Sequence, residues 1–273
     1  MNMGRTVFYI SDGTGISAET LGHSLITQFQ NVLIQSHTLP YIDTEEKATQ
    51  AVEHINKSYN LDNEKPIVFS TIVKPNVRNI IANSHSFVID FFQSHLGSLE
   101  KELGMPSSQA VGLSHAVQDI ERYNSRMDAV QFALRCDDGV HTEGYKTADI
   151  ILLGVSRCGK TPTCLYLALQ YGIRAANYPL TEETLHALHL IESLQTHRER
   201  LFGLTISPER LHDIRSKRRP NSQYASLMQC REEIHRSETL FHKEKIPYLN
   251  STTLSIEELS AHIMASAELR RDG

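Results

Sequence analysis

Apolar residues fall in short blocks separated by turn residues, and the blocks alternate in period along the chain. Thr6 to Ile10 is a short β-rich run, followed by Ser11-Asp12-Gly13-Thr14-Gly15 and a helical stretch to about Phe29. Val32 to Leu39 is a second strand candidate. Thr44 to Tyr59 has a helical pattern, with Thr44 placed to cap it and acidic residues in its first turn. Ile67 to Val73 and Ser86 to Phe92 are further buried runs. Between Asp119 and Arg135, the residues Ile120, Tyr123, Met127, Val130 and Leu134 recur at three- and four-residue steps, one face of a helix.

The alternation is clearer in the second half. Ala148 to Val155 is an apolar run of buried-strand type, Thr161 to Tyr171 is helical, and Ile173 to Tyr178 is a strand. Thr181 to about His197 is predicted helical and Leu201 to Ile206 a strand. Ser207-Pro208 then starts a helix that runs to about Arg219. A helix over about Tyr224 to Lys243, a strand at Ile246 to Leu249 and a capping box at Ser255–Glu258 complete the chain. Repeated β–α alternation with apolar strands predicts an α/β protein whose parallel sheets are covered by helices. Turn chemistry at Asp137-Asp138-Gly139 and Gly144 suggests two domains: an N-terminal α/β domain over 1–145 and a second α/β domain over 146–273.

Composition narrows the class. The 273 residues are 40% hydrophobic and 22% charged, a globular balance. The net charge is −5, with the acid excess confined to the first 145 residues. A nucleic-acid binder acting by phosphate neutralisation would be basic overall, so no nucleic-acid partner is expected. No apolar run approaches a membrane span, so no membrane is expected either. The four cysteines, Cys136, Cys158, Cys164 and Cys230, form no C-x-x-C pair, which points to reduced thiols and a cytoplasmic protein. A homodimer is the default assembly, since two-fold pairs are the commonest closed oligomers.

The segment Gly154-Val155-Ser156-Arg157-Cys158-Gly159-Lys160-Thr161 carries the G-x-x-x-x-G-K-[ST] pattern of a phosphate-binding loop between a strand and a helix. Glycines let the backbone wrap an anion, and the helix start adds free N–H groups and a partial positive charge. Lys160 can reach terminal phosphates, and the Thr161 hydroxyl can join a Mg²⁺ shell. Arg157 fits an arginine acting on a transferring phosphoryl group, or equally a solvated side chain. Cys158 reads as a small filler.

Other segments leave alternatives open. Ser11–Gly15 fits an anion loop, with Asp12 as base or metal ligand, as well as it fits a tight βα turn. Asp137-Asp138 fits a Mg²⁺ pair, but a turn slightly better. Asp90 has the look of a strand-end carboxylate but lies upstream of the loop. Arg215, Lys217, Arg218 and Arg219 fit a phosphate clamp, and still better the basic end of a helix.

The block Ser156-Arg-Cys-Gly-Lys-Thr-Pro-Thr163 with Gly172-Ile-Arg-Ala-Ala-Asn-Tyr-Pro179 resembles the bacterial phosphoenolpyruvate synthetase regulatory proteins, relatives of the pyruvate, phosphate dikinase regulators. The likeness extends to Tyr9–Gly15, Phe202–Arg210, Tyr224-Ala-Ser226, Asn250-Ser-Thr252 and Ser255–Glu258, nearly the whole chain. The chain departs from the family pattern at Cys136, where members usually carry His, and at Gln223, where Arg is expected. The resemblance implies a bifunctional enzyme with phosphoenolpyruvate synthetase as its protein substrate. One activity is an ADP-dependent serine/threonine protein kinase that inactivates the synthetase at a threonine. The other is a pyrophosphorylase that removes this phosphate with inorganic phosphate and releases pyrophosphate. It places the nucleotide on Gly154 to Thr161, so that the second domain is a P-loop kinase-like domain. The loop chemistry then makes Lys160 and Arg157 catalytic and puts Thr161 on Mg²⁺, and the residues leave Asp12 or Asp138 as the general base. A small-molecule kinase or a nucleotide-sensing binding module is the alternative.

Overall fold

The computed structural model describes residues 4–62, 64–110 and 120–269. The chain divides into two compact units, Met1–Ala116 and Val117–Gly273. In the first, β1 (Gly4–Ile10), α1 (Ile16–Ile26), β2 (Leu33–Leu39), α2 (Glu45–Asp62), β3 (Ile67–Ser70), α3 (Pro75–Ala82), β4 (Phe87–Asp90) and α4 (Phe91–Leu103) follow one another. Its four strands form a parallel sheet in the order β2-β1-β3-β4.

Strand β1 shows why the sheet has two covered faces. Side chains alternate across a strand, so Phe8 and Ile10 point one way and Val7 and Tyr9 the other. Phe8 and Ile10 pack with Ala48, Ala51 and Ile55 of α2 and with Ile81 of α3. Val7 and Tyr9 pack with Ala18 of α1 and with Phe69. The backbone of α1 approaches so closely at Gly22 that a Cβ there would lie 2.6 Å from both Tyr9 and Phe69.

The second unit contains α5 (Ile120–Arg135), β5 (Ile150–Gly154), α6 (Lys160–Tyr171), β6 (Ala175–Pro179), α7 (Glu182–Ala187), α8 (Glu192–Gln195), β7 (Leu201–Thr205), α9 (Pro208–Arg218), α10 (Leu227–Glu244), β8 (Tyr248–Asn250) and α11 (Ile256–Ser266). Its sheet is again parallel, in the order β6-β5-β7-β8. All residues of β5 and β7 are buried, as expected for strands covered on both faces.

The structure differs from the sequence expectations in three places. The division lies at 116/117 rather than 145/146, because Ala129, Phe132, Ala133 and Cys136 of the α5 segment join the same core as Ile150 to Leu153. The run Ser86 to Phe92 is a short strand that turns directly into α4, with Asp90 accepting the Gln93 N–H as its cap. The predicted helix Thr181–His197 breaks at Leu188, which takes φ 46° so that Leu190 and Leu194 can turn into the core. Among the described residues no helix is long and apolar enough to cross a membrane.

Candidate phosphate-transfer site

The loop after β5 is shaped by backbone requirements that the sequence meets. A Cβ at Gly154 would lie 2.4 Å from the carbonyl oxygen of Leu204, so only glycine lets β5 pass β7 here. Gly159 holds φ 98°, a left-handed conformation open to glycine, and from it α6 begins. No side chain caps α6 and no acidic residue stands in its first turn. Its N-terminal N–H groups therefore remain as anion donors, reinforced by the helix dipole. Lys160 is the first residue of α6. Its side chain is buried and folds back into the loop, where Nζ donates to the Val155 carbonyl at 3.0 Å.

A carboxylate stands against the loop. The Thr161 hydroxyl donates to Asp137 Oδ1 at 2.9 Å. Asp137 is held in turn by the side-chain amide of Asn177, which is fully buried on β6. The same Asn177 accepts the Asp138 N–H at 3.1 Å. Asp138 takes φ 49° and Gly139 φ 72°, so the Asp-Asp-Gly segment is indeed a turn. That turn presents Asp137 to the phosphate loop and leaves Asp138 exposed. The strand next to β5, β7, ends in Thr205 rather than a carboxylate, and Thr205 donates to Glu238 at 2.7 Å. The acidic partner of the loop thus comes from upstream of it.

On the other side, Arg215 of α9 is fully buried and donates to the Ser156 carbonyl at 3.1 Å, to the Tyr224 carbonyl at 3.0 Å and to Glu233 at 2.7 Å. Its guanidinium lies 4.1 Å from the centre of the Tyr224 ring, and Tyr224 meets the Ser156 hydroxyl at 2.9 Å. Arg215 is therefore a brace of the loop, not a free clamp. Ser251 braces the far side by donating to the Cys158 carbonyl at 2.9 Å. Cys158 is buried, and burial pushes its thiol pKa up despite the neighbouring Lys160 cation.

The sequence-predicted residues thus separate into two groups. Val155, Ser156, Arg157, Cys158, Lys160 and Thr161 share one loop and helix start with Asp137 set against them, whereas Asp12 and Asp90 belong to the first unit. Asp12 accepts the Val73 N–H at 2.7 Å, tying the loop after β1 to the loop after β3. It lines a cavity of 350 Å³ with Thr14, Thr71, Phe92 and Ser107. Asn177 and Tyr224 escaped the sequence reading. Both lie in segments that carry the family resemblance, Asn177 as a lone amide inside an apolar strand and Tyr224 in Tyr224-Ala-Ser226, but nothing in the chain alone gives either a role.

A parallel sheet with a lysine-bearing loop at the carboxyl end of its first strand, a helix start and a hydroxyl–carboxylate pair defines a phosphate-transfer enzyme of the α/β class. The sequence model of the kinase/pyrophosphorylase family matches residues 7–264, and the chain belongs to that family. It is 54% identical over 271 residues to a Pseudomonas aeruginosa protein, covering 99% of both chains. It is 53% identical over 269 residues to proteins of Marinobacter nauticus and Legionella pneumophila, covering 98% of this chain and 99% of theirs. All three relatives carry the provisional name phosphoenolpyruvate synthase regulatory protein.

Proposed function

We propose that this protein regulates phosphoenolpyruvate synthase by reversible phosphorylation. In one direction the terminal phosphoryl group of ADP passes to a threonine hydroxyl of the synthase, inactivating it and leaving AMP. In the other, inorganic phosphate attacks the phosphothreonine, pyrophosphate leaves and the synthase regains activity. The single observation that carries this reading is the phosphate loop with Lys160 folded inside it and Asp137 set against Thr161. The names of the relatives supply the target.

Each residue has a role that its position allows. The N–H groups at the start of α6 and the Lys160 ammonium hold and neutralise the phosphoryl oxygens, which serves a free phosphate as well as a nucleotide end. A hydroxyl beside a carboxylate is the oxygen donor set that Mg²⁺ takes alongside water and phosphate, so Thr161 and Asp137 fit the metal. When bound there, Mg²⁺ would supply charge neutralisation on the phosphoryl group. Asp12 gives one oxygen to Val73 in the first unit, whereas Asp138 is exposed on the turn beside the loop. We assign the threonine proton to Asp138.

The test incubates the protein with purified synthase and ADP labelled on its β-phosphate, then chases with phosphate. Label is expected on a synthase threonine and then in pyrophosphate. Lys160→Ala is expected to lower both steps by about 10³-fold, the scale of losing one electrostatic contact to a developing charge. Full phosphorylation by the Lys160→Ala protein would remove the loop from the mechanism. Label on a small molecule instead would point to a metabolite kinase.

A further inference from the structure

The proposed reverse reaction poses an electrostatic problem that the loop alone does not solve. Inorganic phosphate and a phosphothreonine each carry close to two negative charges at neutral pH and must come into contact. A single lysine and one helix start can hold one of them. Beside the loop, Ser156, Arg157, Arg218, Arg219 and Tyr224 surround a pocket of 270 Å³, with Arg215 in its wall. That is below the roughly 300–1,000 Å³ of sites for drug-sized ligands, so it suits a small anion and not a second nucleotide.

The three outer arginines differ from Arg215. Arg215 is fully engaged by Glu233, Ser156 and Tyr224. The guanidinium groups of Arg157, Arg218 and Arg219 are exposed and make no ion pair or hydrogen bond among the described residues. Compensation of the α9 dipole accounts for positive charge at Arg218 and Arg219. It does not account for Arg157, which comes from the loop and meets them across the pocket. Arg157 also holds φ 77°, a left-handed conformation unfavourable for a non-glycine residue that persists where surrounding structure enforces it.

We infer that this pocket is the subsite for the phosphorylated threonine side chain of the protein target, with Arg157, Arg218 and Arg219 as its ligands. The inference rests on the function proposed above. Guanidinium groups grip phosphoryl oxygens through paired, charge-assisted hydrogen bonds. The phosphate loop then holds the attacking phosphate. An oxygen of HPO₄²⁻ forms the new bond to the phosphothreonine phosphorus, and the bond from phosphorus to the threonine oxygen breaks. The proton of the attacking phosphate ends on that threonine oxygen, and pyrophosphate leaves with the four negative charges. The pocket's arginines make and break no bond; they position the target's phosphoryl group and screen the approach of the two anions.

The experiment compares wild type with Arg218→Ala/Arg219→Ala, Arg218→Lys/Arg219→Lys and, as a charge control, Arg231→Ala, whose side chain is exposed on α10 and pairs with Glu209. Binding of phosphorylated and unphosphorylated synthase is measured by surface plasmon resonance without phosphate, and KM is measured for phosphorylated synthase, phosphate and ADP. Wild type should bind the phosphorylated synthase more tightly. The double alanine variant should lose that preference and show a KM for phosphorylated synthase raised at least 10-fold. Its KM for phosphate should move less, the lysine variant should fall between, and Arg231→Ala should match wild type. Unchanged binding of phosphorylated synthase by the double alanine variant would overturn the assignment. So would equal rises for phosphorylated synthase and phosphate, which would give the pocket to inorganic phosphate. If wild type itself moves no label from ADP to the synthase, the proposed function fails; if wild type transfers label and only the preference is missing, the pocket alone fails.

Discussion

The two units arrange their strands in the same way, yet only one carries a cationic phosphate loop. In each, the first strand of the sheet has the second on one side and the third on the other, all parallel. In each, the loop after the first strand ends in a left-handed glycine, Gly15 at φ 84° or Gly159 at φ 98°, and enters a helix that no side chain caps. The difference lies in what the loops do with their polar groups. In the first unit the Ser11 hydroxyl accepts the Gly13 N–H at 3.1 Å and Asp12 accepts the Val73 N–H, so acceptors tie the loop shut. In the second, a loop of the same length turns its one hydroxyl side chain, Ser156, toward Tyr224 and folds a lysine inward. A shared backbone plan makes an anion site available in each unit; the residue after the glycine, Ile16 or Lys160, decides whether a cation stands in it, and the proposed function uses the one that has it.

The largest expected contrast concerns how each loop is fastened. Arg215→Ala should destabilise the second unit by about 3–5 kcal/mol, because it leaves the largely buried Glu233 carboxylate and the Ser156 carbonyl without their partner. Asp12→Asn should cost the first unit about 1 kcal/mol, the worth of one hydrogen bond weakened. Urea melts of the two variants measure both. Equal losses would mean that Arg215 does not brace the loop.

The next contrast concerns the carboxylate. Asp137→Asn keeps the shape of the turn but removes the charge beside Thr161. It should weaken Mg²⁺ activation of transfer by about 10–100-fold, the range seen when partners around a metal are changed. A Mg²⁺ titration of initial rates reads this, and an unshifted titration would detach Asp137 from the metal.

Much of this was legible in the chain before the fold was known. Pro208 in the first turn and the Ser255 capping box set α9 and α11 because caps act locally, and the observed hydrogen bonds to Arg210 and Glu258 are those the spacing demands. The phosphate loop was legible because its glycines and lysine are contiguous. The Asp137–Thr161–Asn177 contacts were not, since they join residues 24 and 40 positions apart through the packing of a turn against β6. The basic run at 215–219 was misleading for the same reason. Helical geometry buries Arg215 while leaving Arg218 and Arg219 outside, and only tertiary contacts tell the brace from the free cations.

The paired glycines sharpen the comparison further. Gly15→Ala and Gly159→Ala each force a side chain into a left-handed conformation and should each cost about 1 kcal/mol of stability. At Gly15 a Cβ would also meet Thr38 at 2.9 Å, whereas at Gly159 it would meet nothing within 4 Å. Gly15→Ala should therefore be the more destabilising of the two, while Gly159→Ala should be the one that slows transfer. Thermal melts and initial rates on the same preparations separate the effects, and slower transfer in Gly15→Ala alone would reverse the roles given to the two loops.

The smallest effect uses a difference in composition. All four cysteines lie in the second unit, all are buried, and burial pushes each thiol pKa upward. A raised folded-state pKa means the unfolded chain releases these protons first, above about pH 8.5. The folded state then binds more protons than the unfolded one, so stability falls as pH rises from about 8 toward 10. Native protein at pH 8 should resist iodoacetamide, and labelling should appear only as urea opens the second unit, at a lower midpoint at pH 10 than at pH 8. The first unit contains no cysteine and cannot lose stability by this route. Rapid native labelling of Cys158 would show that its neighbour Lys160 outweighs burial, and would make the phosphate loop a reactive thiol site as well.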